Sequence, residues 1–154
     1  MATIERSVEV KAPVSAAYNQ WTQFEDFPQF MENIEEVRQI SDNHLRWKAK
    51  INGVKREWDA EISEQVPDQR IAWHSIDGVE NAGVVTFHYV QPYLTKVMLQ
   101  MKVDPEGLVE NVADKLGFIT RNTEGDLERF KQFIEQRGDA TGAWRGNIPN
   151  ESER

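Results

Sequence analysis

Three groups of side chains in this sequence have the chemistry to hold or change a small molecule: an arginine among tryptophans, three histidines, and some neighbouring carboxylates. The arginine is the sharpest. Asn52-Gly53 separates two alternating runs, and a two-residue Asn-Gly loop favours a type I′ turn that fixes the hairpin register. Counting outward, Ile51 faces Val54, Ala49 faces Arg56, Lys48 faces Glu57, Trp47 faces Trp58, Arg46 faces Asp59 and Leu45 faces Ala60. One face then collects Leu45, Trp47, Ala49, Ile51, Val54, Trp58, Ala60 and Ile62, and the other carries opposite charges paired across the strands. Arg56 falls on the apolar face. A buried guanidinium needs partners. It either holds a ligand's carbonyl, carboxylate or phenolate, or lays its stem along Trp47 and reaches outward to water.

The other groups point away from catalysis. His44, His74 and His88 are too dispersed to form a metal pair. His44 sits opposite Glu61 on the charged face, and strand parity turns His74 away from Trp73, so structural or exposed roles fit all three. Asp104 and Glu106 flank an expected helix start, where acidic residues are favourable anyway. There is no Gly-x-Ser-x-Gly elbow, P-loop or dinucleotide-binding fingerprint. With no cysteine in 154 residues, disulfides, thiolate chemistry and Cys-ligated zinc are absent together. The sequence therefore presents no catalytic set, no metal site and no cofactor site.

The elements that must position Arg56 and the tryptophans read as follows. A first strand runs from about Thr3 to Val10, with Ile4, Val8 and Val10 on one parity. Ala12-Pro13 opens a short helix whose apolar side is Val14, Ala17, Tyr18 and Trp21. A second short helix holds Phe24, Phe27, Pro28, Phe30 and Met31, either a lid anchored in the core or a gate at a cavity mouth. The period then changes to two. Strands are expected over Ile34–Ile40, His44–Ile51, Val54–Val66, Arg70–Ile76, Gly83–Val90 and Leu94–Val103, separated by turn compositions such as Ser41-Asp42-Asn43 and Pro67-Asp68-Gln69. Such short connections give an antiparallel meander. After Asp104-Pro105-Glu106-Gly107, one long amphipathic helix is expected, its stripe being Leu108, Val112, Leu116, Ile119, Thr123, Leu127, Phe130 and Ile134. Gly117 and Gly125 either bend it or admit a close neighbour, and Gly138 stops it. Residues 1–138 make one domain, and 139–154 a polar tail containing Ala140, Ala143, Trp144 and Ile148. An apolar concave sheet has to be covered, and the last helix is the only element large enough.

That order of elements resembles the polyketide cyclase/dehydrase and coenzyme-Q-binding branch of the START-like, or Bet v 1-like, superfamily. The carriers are Val10-Lys11-Ala12-Pro13, Phe24-Glu25-Asp26-Phe27-Pro28-Gln29-Phe30-Met31, Val66-Pro67-Asp68, Arg70-Ile71-Ala72-Trp73, Gly83-Val84-Val85-Thr86-Phe87 and Leu127-Glu128-Arg129-Phe130. The segments Glu135–Gly138 and Ala140–Gly146 resemble a tail of one bacterial subgroup. The resemblance implies an α+β helix-grip fold: a curved antiparallel sheet of about seven strands, two short helices after the first strand, and a long C-terminal helix over the sheet. It also implies a cavity between sheet and helix that takes lipids, quinones, polyketides or hormones. In aromatase/cyclase relatives an Arg precedes the Val-Pro-Asp turn. Gln65 stands there in this chain, which argues against a catalytic reading.

The expected ligand-binding residues are Trp47, Arg56, Trp58, Trp73, Phe87, Leu99, Leu116 and Phe27. For each apolar one the competing assignment is ordinary core. The expected function is a binder or carrier of a small or elongated lipophilic ligand, with a cyclase or dehydratase acting on a poly-carbonyl substrate as the alternative, and an interaction module using the aromatic lid and tail as a third. Composition bounds the partners. Net charge is −8, and residues 1–103 (11 basic, 15 acidic) and 104–154 (7 basic, 11 acidic) each carry −4. Nucleic acid and anionic membranes need clustered Lys and Arg, so neither is expected. No apolar run nears the roughly 20 residues that span a bilayer, and the first residues do not form a signal peptide. A cytoplasmic monomer or weak homodimer is expected. Asn150-Glu151-Ser152 matches a glycosylation sequon in that polar tail.

Overall fold

The computed structural model describes residues 1–150; the sequon at Asn150-Glu151-Ser152 runs outside the described residues. The elements are β1 (Ala2–Val10), α1 (Val14–Trp21), a 3₁₀ helix (Phe24–Gln29), β2 (Ile34–Ser41), β3 (His44–Ile51), β4 (Val54–Val66), β5 (Arg70–Gly78), β6 (Asn81–Gln91), β7 (Leu94–Val103), a single-turn α2 (Pro105–Leu108) and α3 (Lys115–Arg137). The seven strands form one antiparallel sheet in the order β1-β7-β6-β5-β4-β3-β2. Only β1 leaves the sequential meander, crossing to pair with β7. This is the helix-grip architecture expected from the sequence.

The β3–β4 register is the one counted from the Asn-Gly turn, from Ile51↔Val54 through His44↔Glu61. Asn52 and Gly53 have φ of 50° and 85°, the two positive values that a type I′ turn demands. The outer face carries the charges. Asp59 accepts from Arg46 and from His44 Nε2 at 2.8 Å, and Arg46 also reaches Glu57 at 3.3 Å. The Arg46 hydrogen bond, then that of His44, holds the Asp59 carboxyl below the usual carboxylate range. A depressed carboxylate pKa adds stability that is present above the unfolded value, near 3.9, and is lost as pH falls through the folded one. Asp59→Asn should therefore destabilise at pH 7, and the difference from the parent should shrink as pH falls below about 4, as measured by urea unfolding across that range.

On the concave face the core lies between sheet and helices. Trp21, Phe27, Phe30 and Phe130 form an aromatic cluster, with Trp21–Phe130 centroids 4.8 Å apart and Phe30–Phe130 at 5.3 Å. Edge-on pairs of this kind contribute about 0.5–1.5 kcal/mol each beyond area burial. The 3₁₀ segment is thus anchored: Phe24, Phe27 and Phe30 are all buried.

The final helix departs from expectation. It does not run unbroken from Leu108. After α2 the chain leaves helical geometry, Asn111 adopts φ 64°, and α3 begins only after Asp114, whose side chain caps it by accepting from Gly117 N at 2.9 Å. A Cβ at Gly117 would lie 2.2 Å from Asp114 Oδ2, so that glycine admits the cap rather than bending the helix. The four-residue spacing of Leu108, Val112 and Leu116 continues the stripe across a break. Leu116 consequently sits in the first turn on the outer side and is 40% exposed, while Val109, off the expected stripe, is buried. At the other end Gly138 closes α3 with φ 79°.

Residues 139–150 fold back against α1 and the β4–β5 end of the sheet. Thr141 N donates to Gln20 Oε1, Trp144 N donates to Thr22 Oγ1, and Ile148 forms an antiparallel bridge with Gln65. Arg145 makes a two-pronged pair with Asp68 at 2.7 and 2.9 Å and lies over the Tyr18 ring.

Candidate functional site

The alternation of β3, β4, β5 and β7 turns Leu45, Trp47, Ile51, Trp58 and Ile62, then Ile71, Trp73, Leu99, Met101 and Val103, toward α3. They line a partly open cavity of about 170 Å³. Ile119, Thr123 and Leu127 roof it from α3, and Trp21, Phe24, Phe27 and Met31 wall one side. The Trp47 and Trp58 rings, opposite one another in the register, stack at 5.8 Å and 9°. Trp47 Nε1 is buried without a hydrogen-bond partner. Trp73 lies directly across from Gly83. A Cβ there would approach its ring to 2.5 Å, so a side chain as small as alanine would displace the indole from the wall.

The sequence-expected residues divide cleanly. Trp47, Trp58, Trp73, Leu99 and Phe27 line the cavity. Three do not. Phe87 is buried in the layer beneath α1, 5.4 Å from the Tyr18 ring and 6.4 Å from Trp21. It lies on the concave side of the sheet, but α1 rather than the cavity covers that part. Leu116 lies on the outer side of α3. Arg56 points past the cavity end: Nε donates to Leu108 O at 3.4 Å and the guanidinium pairs with Glu110 at 3.1 Å. Strand parity gave its side of the sheet, but its place near the turn sets it beyond the cavity. Together with Asn52 Nδ2 donating to Glu110 O at 3.0 Å, it ties the 108–110 segment across the hairpin. Leu108, on that segment, is part of the cavity wall. Gln65 is fully buried, and its amide donates to Tyr18 Oη at 3.1 Å instead of facing the cavity.

Sequence reasoning missed the polar lining: Asn33, Asn81, Asn122 and Asp126. Asn122 and Asp126 lie one turn apart on α3, beside Thr123, the one polar member of the apolar stripe. That i, i+4 pair flanking a polar stripe position was the available signal. Asp126 Oδ1 accepts from Arg129 and from Glu32 N at 3.2 Å. Burial pushes its carboxyl up, against the lowering effect of Arg129. It is the only ionisable side chain that lines the cavity among the described residues. No cluster of three or more His, Asp or Glu side chains suited to a metal ion occurs among them, and no helix is long and apolar enough to cross a membrane.

The comparisons agree with this geometry. The sequence profile of the family described as polyketide cyclase / dehydrase and lipid transport matches residues 10–132. An uncharacterized 17.2 kDa protein of Streptomyces lincolnensis, from the melC2-rnhH intergenic region, is 56% identical over 149 residues, which is 96% of this chain and 99% of that one. Among solved structures, a START superfamily protein from Mycobacterium smegmatis superposes with TM-score 0.69 at 16% identity, covering 88% of this chain and 95% of its own. The Zhui aromatase/cyclase from Streptomyces superposes with TM-score 0.72 at 17% identity, covering 93% and 99%. At such identities the likeness is one of fold.

Proposed function

We propose that this chain, which belongs to the polyketide cyclase/dehydrase and lipid transport family, works as a binder or carrier of a lipophilic small molecule held between the sheet and α3. The observation that carries this reading is the cavity itself, walled by tryptophans and aliphatic side chains with one carboxylate at its edge. Acid–base catalysis on a poly-carbonyl substrate calls for convergent ionisable groups, and Asp126 has no second one beside it in the lining. The alternative, a cyclase or dehydratase, rests on that lone carboxylate.

Size narrows the class. A dry apolar cavity of roughly 150 Å³ accepts a benzene ring, so about 170 Å³ suits a ring-sized guest. A quinone tail, isoprenoid, polyketide or acyl chain exceeds that volume and would require part of the wall to open. Ligands that bind only the folded state stabilise it by mass action, about 2.7 kcal/mol at a hundredfold excess over Kd. For a chain of this length that raises the melting temperature by about 5–10 °C. A thermal-shift panel of ring-sized and long-chain lipophiles, with native mass spectrometry of the freshly purified protein, is the test. A flat panel with no co-purifying mass would defeat the proposal.

A further inference from the structure

We propose that the cavity selects guests whose polar end donates a hydrogen bond, through a neutral hydroxyl or phenol, and discriminates against carboxylate-ended guests, with Asp126 as the residue that reads that end. This rests on the cavity being a ligand site and specifies what it takes. Three of the four polar lining residues lie together, and Asn81 stands apart on β6 with its side chain donating to Val79 O at 3.0 Å. Asn122 and Asp126 share one face of α3 a turn apart, and Glu32 N, bonded to Asp126 Oδ1, sets Asn33 beside them. They form one polar end to an otherwise aliphatic and aromatic chamber, where α3 meets the chain between the 3₁₀ helix and β2.

The bonding of Asp126 is one-sided. Arg129 and Glu32 N both engage Oδ1, and Oδ2 accepts no hydrogen bond among the described residues. The side chain is 25% exposed and lines the cavity, so its burial is partial. The side-chain amides of Asn33 and Asn122 likewise make no hydrogen bond among the described residues. An ionised carboxylate accepts and cannot donate. A guest hydroxyl would complete it, whereas a guest carboxylate would set like charges together in a poorly hydrated corner. Arg129 does not reverse this, because its guanidinium is already engaged by Asp126, Glu32 at 3.6 Å and Phe30 O at 3.1 Å.

The test uses four ring-sized probes on the full chain by titration calorimetry: toluene, benzyl alcohol, benzyl methyl ether and benzoate. The ether keeps the oxygen and removes the donor. In the parent, benzyl alcohol should bind about fivefold tighter than the ether, the effect of a partly exposed hydrogen bond to a charged acceptor, and benzoate should bind weakest. Asp126→Leu should abolish the alcohol-over-ether preference while toluene affinity holds. Asp126→Asn should bring benzoate up by about tenfold. If Asp126→Leu fails to fold, the parent's ranking and Asp126→Asn still decide. Toluene binding without any alcohol preference, or benzoate equal to the alcohol, overturns this inference alone. If toluene itself does not bind, the ligand-site reading falls and takes the inference with it.

Discussion

Leu99→Trp should abolish uptake of a ring-sized apolar guest, weakening toluene at least a hundredfold, while the melting temperature stays within a few degrees of the parent's. Leu99 stands on β7 between its Cα partners Arg6 and Val85 and projects into the cavity. An indole placed there occupies the space the guest would take. Overpacking a filled core costs about 1–3 kcal/mol, but here the added atoms enter a void, and filling a void offsets that cost. The same substitution in a chain whose core had no cavity would lower stability and leave ligand binding untouched. Trp47 is a poorer site for this test, because its ring stacks on Trp58 and removing it disturbs the wall as well as the space. Calorimetric titration with toluene and a thermal melt of the same sample read the two halves separately. Parent-like toluene affinity in the variant would place the guest elsewhere.

The sequence made the hairpin legible to the residue because two constraints coincided: an Asn-Gly turn with both φ values positive, and a face alternation that a one-residue slip would invert. Where only one constraint acted, the reading stopped short. Parity placed Arg56 and Phe87 on the concave face, but parity says nothing of position along a curved sheet, and these two side chains lie at its ends, against the 108–110 segment and under α1, outside the cavity lining. The stripe Leu108-Val112-Leu116 looked helical because spacing alone cannot register a break; Asp114 as a cap and Asn111 at positive φ mark it in retrospect. Asn122 and Asp126 were passed over because polar residues beside a stripe ordinarily face water. Their role depends on the 3₁₀ segment coming to meet them, a contact distant in sequence. The tail was the least legible part. It has no period, and its partners lie some 80 to 120 positions away.

Deleting residues 139 onward should cost about 2–4 kcal/mol of folding stability, a fall of about 5–15 °C in melting temperature, and leave the affinity for a ring-sized guest unchanged. The tail contributes two bonds between Thr141 and Gln20, one from Thr141 Oγ1 to Asp26, and one from Trp144 N to Thr22. Gln65 and Ile148 exchange two backbone bonds at 2.8 Å, and Arg145 adds its pair with Asp68. Net contributions of about 0.5–1.5 kcal/mol per hydrogen bond would sum to more than the stated range, but several are partly exposed and fixing the extended segment costs backbone entropy. The Arg145–Asp68 pair is over a third exposed on both sides, so Arg145→Ala alone should give under about 1 kcal/mol. Gln20, Thr22 and Gln65 are buried, and lifting the tail lets water reach them, which keeps the penalty below that of stranding polar groups in the core. No described residue of the tail lines the cavity, so guest affinity should not follow stability. Chemical unfolding of the truncated chain beside a toluene titration tests both statements. A parent-like melting temperature would show the tail to be a passive appendage, and a weakened guest would tie it to the site.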